Sequence, residues 1–277
     1  MGRVALAVPS TALLMAMVGG CGQPAPTAEP PSPPHYTSVS QLAAAAAAQQ
    51  RADRFVKLHL TGVTTDNPPR SMTGDGQIAF DPAGPRMRIE QSIQPMDAAP
   101  SPAFTLLIGP NQALLQPPPG TVATPPGKSW FQIRPAPGNT TLAQFSQLVQ
   151  SLRDSSDPIQ TFAQLGDAAS AVTSGDEVLD GVAAVRYTVS LDLAKATQQR
   201  ADPSVMHVVA DLVRAGRAAD DTTLWLDARN RPLRMLLSRT ISSDSGARSI
   251  YVVTVRYRDW GVPVDVPVPD PAQIVGN

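Results

Sequence analysis

The sequence predicts an α+β fold: runs of antiparallel strands with helices inserted between them and gathered on one face. Three observations predict it. Apolar and polar residues alternate with a period of two in segment after segment between residues 55 and 258. The alternation leaves each segment one polar face, the pattern of an antiparallel meander wetted on one side. Helix-forming stretches near residues 38–50, 140–165 and 203–216 interrupt these segments rather than alternating with single strands.

The chain opens with Met1-Gly2-Arg3, one positive charge, followed by a mostly apolar run over residues 4–18 and then Gly19-Gly20-Cys21. A short charged start, a short apolar run and small residues make an export signal. The run is shorter than the ~18 residues a bilayer crossing needs. N-myristoylation is excluded because Leu6 stands where Ser or Thr is wanted. Cys21 is the only cysteine among 277 residues. Pro24, Pro26, Pro30, Pro31, Pro33 and Pro34 follow it and cannot form a helix or a sheet interior. No histidine lies in a recognisable Cys/His signature, so attachment is the remaining role. Val18-Gly19-Gly20-Cys21 resembles the lipobox of bacterial lipoproteins, which implies that Cys21 is diacylated on sulfur and becomes the new N-terminus. Two acyl chains hold stably to a membrane where one does not. Residues 1–20 are therefore expected to be a signal peptide, 21–36 an acylated Pro-rich linker, and 37–277 a single domain.

The first helix starts after Ser38 or Ser40, either of which can cap it, and runs through alanines of high helix propensity. It has few large apolar residues and is expected at the surface. In residues 55–63 Val56, Leu58 and Leu60 face one way, with Lys57, His59 and Thr61 opposite. Residues 74–85 give a strand and a Pro/Gly turn. In residues 86–93 Met87, Ile89 and Ile93 alternate with Arg86, Arg88, Glu90 and Ser92. Further strands are predicted at 103–109, 112–116 and 129–134. Leu142, Phe145, Leu148, Val149 and Leu152 lie at helical spacing, and a short helix around Ile159, Phe162 and Leu165 follows Pro158. Strands return at 171–179 and 183–192, where Val185, Tyr187, Val189 and Leu191 share a face. Residues 203–216 form an amphipathic helix with Pro203 in its first turn. Strands at 221–227, 231–242 and 248–258 follow, the first two joined by a turn over Asp227–Pro232. From Asp259 the chain is Pro-rich and is expected to wrap a sheet edge.

Composition narrows the function. Net charge is −1, with no basic tract, which argues against nucleic-acid binding. No Gly-x-Ser-x-Gly, His-Glu-x-x-His, phosphate loop or metal-spaced Cys/His pair is present, so no catalysis, metal or cofactor is expected. Asp176, Glu177 and Asp180 read as a solvated turn, His59 and His207 as sheet-face or surface groups, and Trp225 and Trp260 as core or edge residues.

Several motifs in order carry a family resemblance: the lipobox, Gly175-Asp176-Glu177-Val178-Leu179-Asp180-Gly181-Val182 and the tyrosine strand after it, Leu224-Trp225-Leu226-Asp227, and Tyr257-Arg258-Asp259-Trp260-Gly261. Over residues 37–277 the chain resembles the LppX/LprAFG family of actinobacterial lipoproteins, whose fold is similar to the LolA/LolB carriers. The resemblance implies a strongly curved antiparallel half-barrel with helices on its concave face and an apolar cavity between them for the acyl chains of a lipid, glycolipid or lipoglycan. On that reading Val56, Leu58, Leu60, Met87, Ile89, Leu148, Val189, Leu191, Val209 and Leu212 line the cavity. A hollow core and a solid one share the same periodicity, so the cavity comes from the resemblance alone. The expected partners are lipid acyl chains and, through Cys21, the outer face of the cytoplasmic membrane. With no nucleotide site, direction of movement must come from partners, a membrane transporter among them, or from a lipid sink. Three rivals stand beside this: a membrane-anchored sensor that binds a regulatory protein, a structural surface lipoprotein with a solid core, and a hydrolase, for which neither a nucleophile nor a base can be named.

Overall fold

The computed structural model of the chain describes residues 32–65, 67–110, 112–133, 149, 152, 158–201, 203–214, 216–242 and 248–275. Cys21, the expected signal peptide, Leu148 and most of the expected helix at 140–153 lie outside these residues. Residues from Ser32 onward group as one compact unit.

Helix α1 (Val39–Asp53) begins where the Ser38 side chain accepts a hydrogen bond from the Gln41 N–H. It ends at Arg54, whose φ of 66° turns the chain out and whose N–H donates to the Gln50 carbonyl. The expectation that this helix lies at the surface is corrected. Val39, Leu42, Ala43 and Ala46 are buried in the main core. The buried stripe is short and mixed, Val39, Leu42, Ala43, Ala46 and Gln50, and the alanine run hides it in the sequence.

Strands β1 (Phe55–Thr64), β2 (Arg70–Asp81), β3 (Gly84–Pro95), β4 (Phe104–Ile108), β5 (Ala113–Gln116) and β6 (Trp130–Gln132) form a first meander. Helix α2 (Pro158–Gln164) precedes β7 (Ala169–Leu179) and β8 (Val182–Asp192). Helices α3 (Leu193–Ala196) and α4 (Pro203–Arg214) separate these from β9 (Ala219–Asp227), β10 (Pro232–Ser242) and β11 (Arg248–Arg258). The two meanders join where β1 pairs antiparallel with β11, with Leu58 opposite Tyr257. A final strand, β12 (Ile274–Val275), pairs parallel with β6. The twelve strands make one open, curved sheet in the order β12-β6-β5-β4-β3-β2-β1-β11-β10-β9-β8-β7. The molecule is mostly sheet with few helices.

The sheet has two unlike faces. One carries the main apolar core and α1; there Val56, Leu58, Leu60, Ile78, Met87 and Ile89 are all buried. The opposite face is polar over β1, β10 and β11. Over β2, β4 and β5 it is covered by the C-terminal segment, where Val266 and Ile274 pack on Ala79, Leu107 and Leu114. The Pro-rich end therefore supplies the edge strand and also roofs part of this face.

Candidate functional site

The helix-bearing face of the sheet is the candidate site. Its apolar surface follows from register. Leu58 lies opposite Gly76 on β2 and Tyr257 on β11, and Ile89 lies opposite Gly76 and Leu106. Each is on the same pleat side as its partner, so alternation along every strand adds up to one apolar surface. Val189 joins it through β8, with Val185, Tyr187, Leu224 and Leu226.

Of the residues expected to line a cavity, Val56, Leu58, Leu60, Met87, Ile89 and Val189 are brought together in this surface. Leu191, Val209 and Leu212 are buried elsewhere, in a second cluster with Leu165, Leu193 and Val205. Leu191 sits at the end of β8, past the main core, where α3 and α4 close over it.

Three features of this face escaped the sequence reading. On β2, Gly74 and Gly76 stand between Met72 and Ile78 on the buried side. A Cβ on Gly76 would come within 3.0 Å of Leu58 Cδ1, and one on Gly74 within 3.3 Å of Ile89 Cδ1. The neighbouring side chains lean across this trough. Glycines at alternate positions inside a strand are the signal that marked it. The second feature is polar. Gln91 is fully buried, its amide N–H donates to Met72 Sδ at 3.6 Å, and its Oε1 has no hydrogen-bond partner. The buried Tyr251 hydroxyl also donates to Met72 Sδ, at 3.1 Å.

The third is a staple at the β8 end of the face. The Tyr187 hydroxyl donates to the Pro34 carbonyl at 2.7 Å and accepts from the Tyr36 N–H at 3.1 Å. The Tyr36 hydroxyl donates to Asn230 Oδ1 at 2.7 Å. Burial raises both phenols above the usual tyrosine range. His35 meets Asp176 at 2.8 Å. Pro33 to Tyr36, the expected end of the linker, thus lies fixed against the sheet.

The acidic cluster is dispersed. Asp176 faces His35, Glu177 pairs with Arg186 at 2.9 Å and accepts from Trp225 Nε1 at 2.7 Å, and Asp180 takes a φ of 50° in the β7–β8 turn. His59 meets Asp75 at 3.1 Å on the polar face. Trp260 donates to the Pro232 carbonyl and stacks on Phe80 with ring centroids 6.1 Å apart. The side chain of His207 is outside the described set. No helix of the described residues is long and apolar enough to cross a membrane.

No protein-family model matches the sequence, and no curated protein matches it. Solved structures do. The chain is similar in structure to mycobacterial lipoproteins. LprF from Mycobacterium bovis is 15% identical with a TM-score of 0.43, over 84% of this chain and 99% of that one. The lipoprotein LppX of Mycobacterium tuberculosis is 13% identical with a TM-score of 0.42, over 83% and 98%. A putative outer membrane lipoprotein-sorting protein domain from Vibrio parahaemolyticus is 11% identical with a TM-score of 0.30, over 82% and 94%. The first two belong to the family that the sequence motifs resemble.

Proposed function

We propose that the chain is a cell-envelope lipoprotein, not an enzyme, that holds the acyl chains of a lipid or glycolipid between its helices and the concave face of its sheet. Acylated Cys21 would anchor it at the outer face of the cytoplasmic membrane. The observation that carries the reading is the run of buried apolar residues on every strand from β5 to β8, faced by a helix that buries Ala43 and Ala46 beside Val39 and Leu42. Helix α1 contacts both β2 and β7, six places apart in the sheet. In a flat sheet those strands would stand about 29 Å apart, so a sheet curled round α1 accounts for both contacts. Where that helix presents Ala43 and Ala46, a curled apolar sheet can leave room for acyl chains.

The energetics suit reversible exchange. Each CH₂ exposed to water costs about 0.8 kcal/mol, so a long chain does not cross an aqueous envelope unaided. Transfer from bilayer to apolar pocket is far closer to neutral.

The test is extraction of purified residues 32–277 and identification of bound lipid by mass spectrometry, for wild type and Leu58→Trp. A carrier yields lipid, and the tryptophan lowers occupancy while the fold keeps near-native stability. A solid core yields none, and the same change overpacks it at a cost of about 1–3 kcal/mol. The second result would overturn the proposal.

A further inference from the structure

The polar face of the sheet carries a charge arrangement that its own residues leave unbalanced. Asp75, His59, Arg256, Arg234, Trp225 and Arg186 lie directly opposite one another in turn across β2, β1, β11, β10, β9 and β8. At both ends of this row the charges are matched by opposite ones, although Asp75 also stands opposite Glu90 on β3. Asp75 meets His59 at 3.1 Å and Arg258 at 3.0 Å. Glu177 on β7 meets Arg186 and the Trp225 indole.

In the middle they are not. Arg234 and Arg256 are a directly opposed pair, with Cα atoms about 5 Å apart in such a register. Like charges placed so are destabilising. Among the described residues, no carboxylate pairs with either. The Arg234 guanidinium lies 5.0 Å from the centroid of the Trp225 ring, which holds its plane over the sheet. Between the two arginines is a groove of about 380 Å³, also lined by His59, Thr61 and Thr254. Thr61 and Thr254 are opposite each other in register, so their hydroxyls flank one spot.

We propose that this groove binds a phosphate-class oxyanion, on the face opposite the apolar core. Guanidinium groups present paired N–H donors that match phosphate oxygens. An anion between Arg234 and Arg256 turns their repulsion into two charge-assisted contacts, with the two threonine hydroxyls as further donors. The anion is either a free phosphate or the phosphodiester of an anionic lipid headgroup. The site stands independently of the acyl-chain reading, because it shares no residue with the helix-bearing face.

The experiment is calorimetric titration of the full chain in non-ionic detergent, at constant ionic strength. The probes are inorganic phosphate and glycerophosphoglycerol, the deacylated headgroup of phosphatidylglycerol. Saturable binding is expected, weakened at least about tenfold by Arg256→Gln and by Arg234→Gln. Arg88→Gln, on the same face but outside the groove, should leave it unchanged. The Arg256 side chain is exposed and makes no hydrogen bond or ion pair among the described residues, so its variant folds even if loss of the Arg234 stack disturbs Trp225. Binding of inorganic phosphate alone identifies a free anion as the ligand; binding of glycerophosphoglycerol, with or without phosphate, identifies a headgroup. Absence of saturable binding by both probes, or equal weakening by Arg88→Gln, would overturn the proposal.

Discussion

At the scale of single residues, Gln91 and Tyr187 are the side chains whose chemistry departs most from a plain core. Gln91 leaves an acceptor buried without a donor, and an unmet buried polar atom costs about 1–3 kcal/mol. Gln91→Leu should therefore raise the unfolding midpoint of lipid-free protein in urea. A lower midpoint would mean that a ligand group or water satisfies the amide. The sequence held a clue, because Gln91 breaks the apolar phase set by Met87, Ile89 and Ile93. A single polar residue in that phase reads equally well as an edge of the pattern, so its burial was not legible. The staple was legible even less. Tyr187 sits in the apolar phase of β8, and nothing in the alternation tells that its hydroxyl reaches residues 34 and 36. Tyr187→Phe keeps the ring and removes both bonds. It should loosen Pro33–Tyr36, still held by Asn230 and Asp176, and this is read as faster amide exchange at Tyr36 while the sheet amides stay protected.

At the scale of elements, strands were more legible than helices. Alternation against water fixes a strand and its buried side together, so β1, β3 and β8 were readable with their inward residues. Helix α1 was readable as a helix but not in its place, because alanine favours helix without choosing a face. Its docking depends on contacts made elsewhere. One is the fork between Asp53 at its last turn and Arg231 in the β9–β10 turn, with Nε and Nη2 each 2.7 Å from a carboxylate oxygen. Burial pushes the Asp53 carboxyl up, but hydrogen bonds from Arg231 and Gln49 and the charges of Arg231 and Arg229 outweigh it and hold it below its ordinary value. The sign follows. The fork stabilises the fold fully above the unfolded carboxyl value near 3.9, and that stability is lost as pH falls through the depressed folded value. Asp53→Asn should cost about 1.5–3 kcal/mol at pH 7. In unfolding curves from pH 7 to pH 2, the gap between variant and wild type should close at the acid end. Ala46 of the same helix is fully buried in the main core. Ala46→Leu should cost about 1–3 kcal/mol where the methyl already touches the sheet, and markedly less where a lipid space lies beneath it, as thermal unfolding would record.

At the scale of the whole molecule, the architecture depends on pairings between distant segments. The sequence showed two meanders, but the β1–β11 junction that fuses them pairs residues as far apart as Lys57 and Arg258, and periodicity holds no information about such a partner. The split of the expected lining residues has the same origin. Leu191, Val209 and Leu212 carry the right pattern, and only the path of the chain assigns them to another cluster. The C-terminal segment is a further long-range element. Removing residues 262–277 would uncover Ala79, Leu107 and Leu114 and leave β6 as a bare edge. Open edges beside exposed apolar surface template association. The truncated chain should shift to aggregates in size-exclusion chromatography, whereas wild type should not. Bound lipid should act on the whole fold by mass action, raising stability by about 2.7 kcal/mol at a free concentration 100 times its dissociation constant.

The staple also decides how the molecule bears load. Tension on the polypeptide ahead of Ser32 reaches Tyr187 and Asn230 before it reaches α1, so it is shunted into β8 and the β9–β10 turn. The helix, which would peel turn by turn, is spared. In a force experiment the first event should be a small rupture, releasing less than about 20 Å, the full extended length of residues 33–38, ahead of any loss of the sheet. Tyr187→Phe should lower the force of that step, leaving the Tyr36–Asn230 and His35–Asp176 contacts to carry it. A protein held to a moving surface by its N-terminal side would then behave as a rigid body below that threshold and as a slack one above it.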